Sequence, residues 1–139
     1  MSAPAGRDDI AMLVEAAKDA MTQAYAPYSG FRVGAALLAR DGRVFAGCNV
    51  ENSSFPAGIC AERGAIAAAV ANGARTFASI VVATEAEQPT PPCGICRQVL
   101  IEFAPSLEIV SVTSTGATAR WDLRELLPAP FTPASLAHV

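Results

Sequence analysis

Three cysteines in two short motifs, Cys60-Ala61-Glu62-Arg63 and Pro92-Cys93-Gly94-Ile95-Cys96, constrain this chain more than any other feature, because one metal ion bound by all three draws two distant segments together. Structural zinc sites take four protein ligands, whereas hydrolytic sites take three and leave the fourth position open. Three cysteines fit the second arrangement. The fourth cysteine, Cys48, lies in a predicted strand with no paired cysteine nearby and reads as a small apolar core residue. A lone Cys-x-x-Cys reads equally as a redox pair, half of a structural zinc site or a chance spacing, but a redox pair gives Glu62 no role. An isolated Glu in a first helical turn commonly complements only the helix dipole. Here its spacing of two from Cys60 sets a carboxylate beside the metal.

Both motifs fall where helices are expected to begin. Apolar residues at Ile10, Leu13, Val14, Ala17, Met21 and Ala24 follow a helical period over Asp8 to Tyr25. Pro27-Tyr28-Ser29-Gly30 breaks it, and the runs Val33 to Arg40 and Val44 to Val50 flank Asp41-Gly42-Arg43, a hairpin turn signal. A polar, Pro- and Gly-containing loop from Glu51 to Gly58 leads to Cys60 and an alanine-rich helix from Ala61 to Ala71, which Asn72-Gly73 stops. Ser79 to Thr84 reads as a strand, Glu85 to Pro92 as a loop, and Cys93 to Phe103 as a helix carrying Cys93 and Cys96 in its first turn. Glu108 to Thr113 and Ala117 to Trp121 are two further strands, and Asp122 caps a short helix over Leu123 to Leu127. Interleaved helices and five strands predict one layered α/β domain with a mixed sheet, spanning residues 1–139.

Three thiolates on a zinc dication leave one net negative charge, which weakens the metal as a Lewis acid. Helix N-termini offset that charge and lower thiol pKa values. Arg63 is either a cation against a ligand sulfur, withdrawing further density, or a plain surface charge. The single histidine, His138, sits beside the C-terminus and reads as a tail residue. General acid and base chemistry therefore falls to a carboxylate, and Glu62 is the candidate.

The apolar run Ile66 to Ala71 is far shorter than the ~20 residues a membrane-spanning helix needs. Met1 to Asp9 lacks the basic and apolar regions of a signal peptide, and thiols without one suggest a reducing, cytoplasmic setting. The formal net charge is −3 and the basic residues are scattered, which argues against a nucleic-acid partner and for a small substrate.

The chain resembles the cytidine deaminases of the small, free-nucleoside type. The similarity runs through Pro27-Tyr28-Ser29-Gly30-Phe31, Val33-Gly34-Ala35-Ala36-Leu37, Gly47-Cys48-Asn49-Val50-Glu51-Asn52, the two cysteine motifs extended to Arg97-Gln98, Glu125-Leu126-Leu127-Pro128 and Phe131. It implies a three-layer α/β/α domain with a mixed five-stranded sheet. It also implies one zinc per subunit on Cys60, Cys93 and Cys96, with zinc-bound hydroxide as nucleophile and Glu62 as proton shuttle. By the same matching Asn49 and Glu51 bind the ribose hydroxyls, Phe31 packs against the base, and Ala61 holds the base through its backbone. The expected reaction converts cytidine and deoxycytidine to uridine and deoxyuridine with release of ammonia, in pyrimidine salvage. The chain length resembles the homotetrameric form, in which Phe131 reaches a neighbour's pocket. Gly64 and Phe55 depart from the family, which often has a larger residue at the first position and tyrosine at the second. Two competing readings are deamination of another aminopyrimidine nucleoside of the blasticidin type, and a zinc-stabilised binding module without catalysis.

Overall fold

The computed structural model describes residues 6–136. Helix α1 (Arg7–Met21) is followed by strands β1 (Val33–Ala39) and β2 (Val44–Cys48), helix α2 (Ala61–Ala71) and strand β3 (Phe77–Thr84). Helix α3 (Gly94–Phe103), strands β4 (Glu108–Thr113) and β5 (Thr118–Asp122) and the single-turn helix α4 (Leu123–Leu126) complete the order. The five strands form one sheet in the order β2-β1-β3-β4-β5. Only β3 and β4 run parallel; the other pairs are antiparallel. A parallel pair cannot be closed by a hairpin, so the chain crosses over between them through α3.

The layers follow from where apolar residues face. On one side Ile10, Leu13 and Ala17 of α1 pack on Ala36, Leu38, Val81, Ala83 and Val110. On the other, Ala61, Ala65, Ile66 and Ala69 of α2 and Leu100 and Ile101 of α3 pack on Ala35, Leu37, Ile80 and Ile109. Strands covered on both faces are apolar nearly throughout, as β1 and β3 are. Together these faces give the expected three-layer α/β/α sandwich.

The boundaries fall within two residues of the sequence reading except at the end of α1, and the early ends of β2 and α1 have identifiable causes. Strand β2 stops at Cys48 because the Asn49 side chain takes over the ladder: Val33 N–H donates to its Oδ1 at 2.8 Å, and its Nδ2 donates to Phe31 O at 2.8 Å. Helix α1 stops four residues before Tyr25, whose N–H donates to Asn49 O at 3.0 Å while its carbonyl accepts from Glu51 N–H at 2.8 Å. That pairing makes an isolated bridge between Tyr25 and Val50 in place of another helical turn. The Asp-Gly hairpin forms as expected, with Gly42 at a φ of 95° that favours glycine. Asp122 caps α4, accepting from Arg124 N–H at 2.9 Å while Glu125 accepts from Asp122 N–H at 2.8 Å. His138 lies outside the described residues, as do residues 1–5. Among the described residues no helix is long and apolar enough to cross a membrane.

Candidate metal centre and active site

The parallel strands β3 and β4 end toward one rim of the sheet, and β3 feeds the loop that leads to Cys93. Cys60 and Cys93 are the N-cap residues of α2 and α3, both in extended backbone, and Cys96 sits in the first turn of α3. The sequence therefore places three thiols at two helix N-termini, and the fold brings those termini together. The three sulfurs lie within 4.8 Å of one another. Cys60 Sγ is 3.7 Å from Cys93 Sγ, and Cys93 Sγ is 3.5 Å from Cys96 Sγ. Tetrahedral zinc with Zn–S bonds of about 2.3 Å requires sulfurs about 3.8 Å apart, so the donor set fits the ion. Cys48 is not part of this cluster. Its neighbour Gly47 faces α2, since a Cβ there would meet Ala65 N at 2.5 Å, and strand alternation turns Cys48 to the opposite face. It is half-buried, where the sequence reading places it in the core.

Glu62 follows in the first turn of α2 and is 5% exposed. Burial pushes its carboxyl up to about 7, opposed by a hydrogen bond from its own backbone N–H and aided by the charge of Cys60. A carboxyl balanced near neutrality can both take and return a proton. The interaction with the Cys96 thiol, reinforced by Arg63 and Cys93 against the effect of burial, brings the Cys60 thiol down to about 5. The same interaction, together with burial, pushes the Cys96 thiol up. Arg63 Nη2 donates to Cys60 Sγ at 3.6 Å, which resolves its two sequence readings in favour of a cation on a sulfur. Its buried Nε has no hydrogen-bond partner among the described residues.

Above the sulfurs opens a cavity of about 340 Å³, within the size range of small-ligand sites. Phe31, Asn49, Glu51, Cys60, Ala61, Glu62, Arg63 and Cys93 all line it, whereas Cys96, which is buried, and Phe131 do not. Phe131 is 59% exposed and is not among the residues lining the cavity of its own chain. Val82 and Thr84, at the end of β3, and Thr90 and Pro91, from the loop before Cys93, complete walls that sequence reasoning did not assign.

Glu51 also has a local task. Its Oε1 accepts from Tyr28 N–H at 2.9 Å and Ser29 N–H at 3.1 Å, and its Oε2 accepts from the Ser29 hydroxyl. These bonds hold its carboxyl below the usual range, the Ser29 hydroxyl contributing most. They also fix the turn leading to Phe31. Phe55, at the rim, packs edge-on against Tyr28 with ring centroids 5.7 Å apart. Arg32 and Glu85 close a further contact across loops 53 residues apart, with Nη2 to Oε2 at 2.8 Å. No local sequence pattern predicts a pair so distant.

Comparisons with known proteins agree with this geometry. Residues 7–112 match the family model described as the cytidine and deoxycytidylate deaminase zinc-binding region. A cytidine deaminase of Sporosarcina psychrophila is 42% identical over 131 residues, covering 94% of this chain and 96% of that protein. One of Halalkalibacterium halodurans is 42% identical over 125 residues, covering 89% and 95%. The crystal structure of cytidine deaminase from Burkholderia pseudomallei superposes with a TM-score of 0.84 at 50% identity, covering 87% of this chain and 98% of that one. That from Mycobacterium tuberculosis gives 0.77 at 40% identity, covering 88% and 97%. With three sulfurs spaced for zinc and a buried carboxylate beside them, the chain belongs to the cytidine and deoxycytidylate deaminase zinc-binding family.

Proposed function

We infer that this chain catalyses the hydrolytic deamination of cytidine and deoxycytidine, adding water and releasing ammonia to give uridine and deoxyuridine. The observation that carries this reading is the meeting of a three-thiol cluster and a buried carboxylate on one nucleoside-sized cavity. Cys60, Cys93 and Cys96 are the residues that would hold zinc, one ion per chain. Zinc, when bound, supplies Lewis acidity that makes hydroxide available near neutral pH. Glu62 takes one proton of the attacking water and delivers it to the ring nitrogen; it then takes the remaining proton, on the added hydroxyl, and passes it to the amine, so that the carbonyl forms as the C–N bond breaks and ammonia leaves. A single carboxylate serves these steps because no other carboxylate is buried among the described residues. Arg63 offsets the excess thiolate charge through its contact with Cys60.

Substrate contacts are assigned on placement. Phe31 faces the cavity as an apolar wall for the base, and the Ala61 backbone lies at the N-terminus of α2, where unsatisfied peptide groups are available. Asn49 Nδ2 spends one proton on Phe31 O and retains a second for a ribose hydroxyl. Glu51 Oε2 has a free lone pair for the same purpose. Scattered basic residues and a net charge of −3 support a nucleoside substrate and no nucleic-acid partner. The reading extends to a single domain acting in pyrimidine salvage in the cytoplasm. It also extends to a homotetramer in which the exposed Phe131 ring closes a neighbour's cavity.

An ultraviolet absorbance assay against cytidine, deoxycytidine, cytosine, cytidine monophosphate and single-stranded DNA tests the substrate class. Nucleosides should react well, and free cytosine slowly, because it forfeits ribose binding energy used for positioning. Efficient turnover of the monophosphate or of DNA would contradict the assignment.

A further inference from the structure

The two residues after Cys96 do not line the cavity, yet each holds backbone from elsewhere in the chain. Arg97 Nε donates to Pro92 O at 2.7 Å, and its Nη1 donates to Leu126 O at 2.9 Å. Gln98 Nε2 donates to Phe131 O at 2.7 Å. The Pro92 carbonyl belongs to the peptide group whose nitrogen is that of Cys93. Fixing this carbonyl fixes the plane from which the Cys93 thiol is suspended. Leu126 is the last residue of α4, where helical carbonyls lack partners within the helix. The planar guanidinium is preorganised to donate along two directions at once, which an ammonium on a flexible stem is not. One side chain thus joins the start of the second cysteine motif to the end of α4, and its neighbour extends the clamp five residues further.

We propose that Arg97 is a positioning residue that couples metal occupancy of the three-thiol site to docking of the segment 123–131 on α3. The proposal rests on the zinc reading above. A metal on Cys93 and Cys96 holds the turn that presents Pro92 O to Arg97, and Arg97 so held retains Leu126. Linkage makes the effect reciprocal: a docked segment steadies Arg97 and through it the Cys93 turn. Gln98 carries the same coupling to Phe131.

Hydrogen–deuterium exchange read by mass spectrometry on the full chain, zinc-loaded and after chelator treatment, tests this directly. Peptides covering 123–131 should exchange about tenfold faster in the stripped protein, while α1 is unchanged. Arg97→Met should abolish that difference and release zinc to a chromophoric chelator about 10–100-fold faster, the usual range for losing a partner that orients a ligand. Arg97→Lys, able to reach one carbonyl, should fall between. An unmodified chain that binds no zinc would remove the zinc reading itself. One that binds zinc stoichiometrically but shows equal exchange over 123–131 in both states, or uniform acceleration over the whole chain, would overturn the coupling alone. Parental zinc release from a folded Arg97→Met would do the same. If that variant does not fold, the exchange comparison on the unmodified chain decides.

Discussion

Substituting Gly47 by alanine should damage the active site without touching substrate or metal. A Cβ on Gly47 would stand 2.5 Å from Ala65 N, 2.6 Å from Ala61 O and 2.9 Å from Gly64 C. All three are backbone atoms of α2, so no flexible side chain can yield and the helix itself must retreat by about 1 Å to restore ordinary contact. Such overpacking costs about 1–3 kcal/mol, with this site at the upper end because backbone must move. Cys60 caps that helix and Glu62 lies in its first turn, so both move with it. A displacement of about 1 Å in a reacting group costs about 100-fold in rate. The matched control is Gly64→Ala, on the opposite side of the same contact. Its Cβ would meet Gly47 Cα and Cys48 O at 3.6 Å, an ordinary distance. That variant should gain up to about 1 kcal/mol of helix propensity, a rise of roughly 3–5 °C, while Gly47→Ala should lose on the order of 10 °C. Calorimetry of the zinc-loaded proteins and initial rates with cytidine read both quantities. Parental melting and activity in Gly47→Ala, or a clear loss of stability in Gly64→Ala, would refute the close-approach argument.

Other expectations follow from the same geometry. Alanine at Cys60, Cys93 or Cys96 should abolish stoichiometric zinc by metal analysis, whereas Cys48→Ala, on the opposite sheet face, should retain it; full retention in any of the first three would break the ligand assignment. Because Glu51 is held below its ordinary value by Ser29 and Tyr28, its contribution is present above the unfolded value and lost as pH falls through the folded one. Protection of the Tyr28 and Ser29 amides, taken relative to the intrinsic exchange rate at each pH, should therefore fall on acidification below the ordinary carboxylate value, and Glu51→Gln should remove that pH dependence. Light scattering should give about four times the 14.3 kDa chain mass, and reassembled mixtures of Glu62→Gln and Phe131→Ala chains should recover part of the activity. A monomer, or confirmed hybrids that stay inactive although Phe131→Ala alone is strongly impaired, would refute the shared site.

The elements of this fold were legible where one period dominates. The two apolar runs of residues 33–50 and the Asp41-Gly42 turn between them foretell the hairpin, and the alanine-rich run to Asn72-Gly73 matches α2 at both ends. What failed locally was decided by contacts distant in sequence: Tyr25 leaves α1 to pair with Val50, and Asn49 ends β2 with its side chain. The metal centre was readable because ligand type and spacing are dictated by the ion's chemistry. The tasks of Arg63 and Arg97 were less so. An arginine three residues from Cys60 does not announce that it donates to the sulfur, and a partner 29 residues away, as for Arg97 and Leu126, leaves no local trace. Glu51 shows the same limit, since its bonds to the Tyr28–Ser29 turn depend on a loop whose path only the fold determines.

The most direct test of the central claim pairs zinc content with cytidine turnover in the unmodified chain and in Glu62→Gln. The unmodified chain should carry one zinc and convert cytidine to uridine and ammonia. Glu62→Gln should carry the same zinc and fold, yet lose at least about 10²–10⁴-fold in rate. Near-parental turnover by Glu62→Gln, or no turnover by a fully zinc-loaded unmodified chain, would contradict the account.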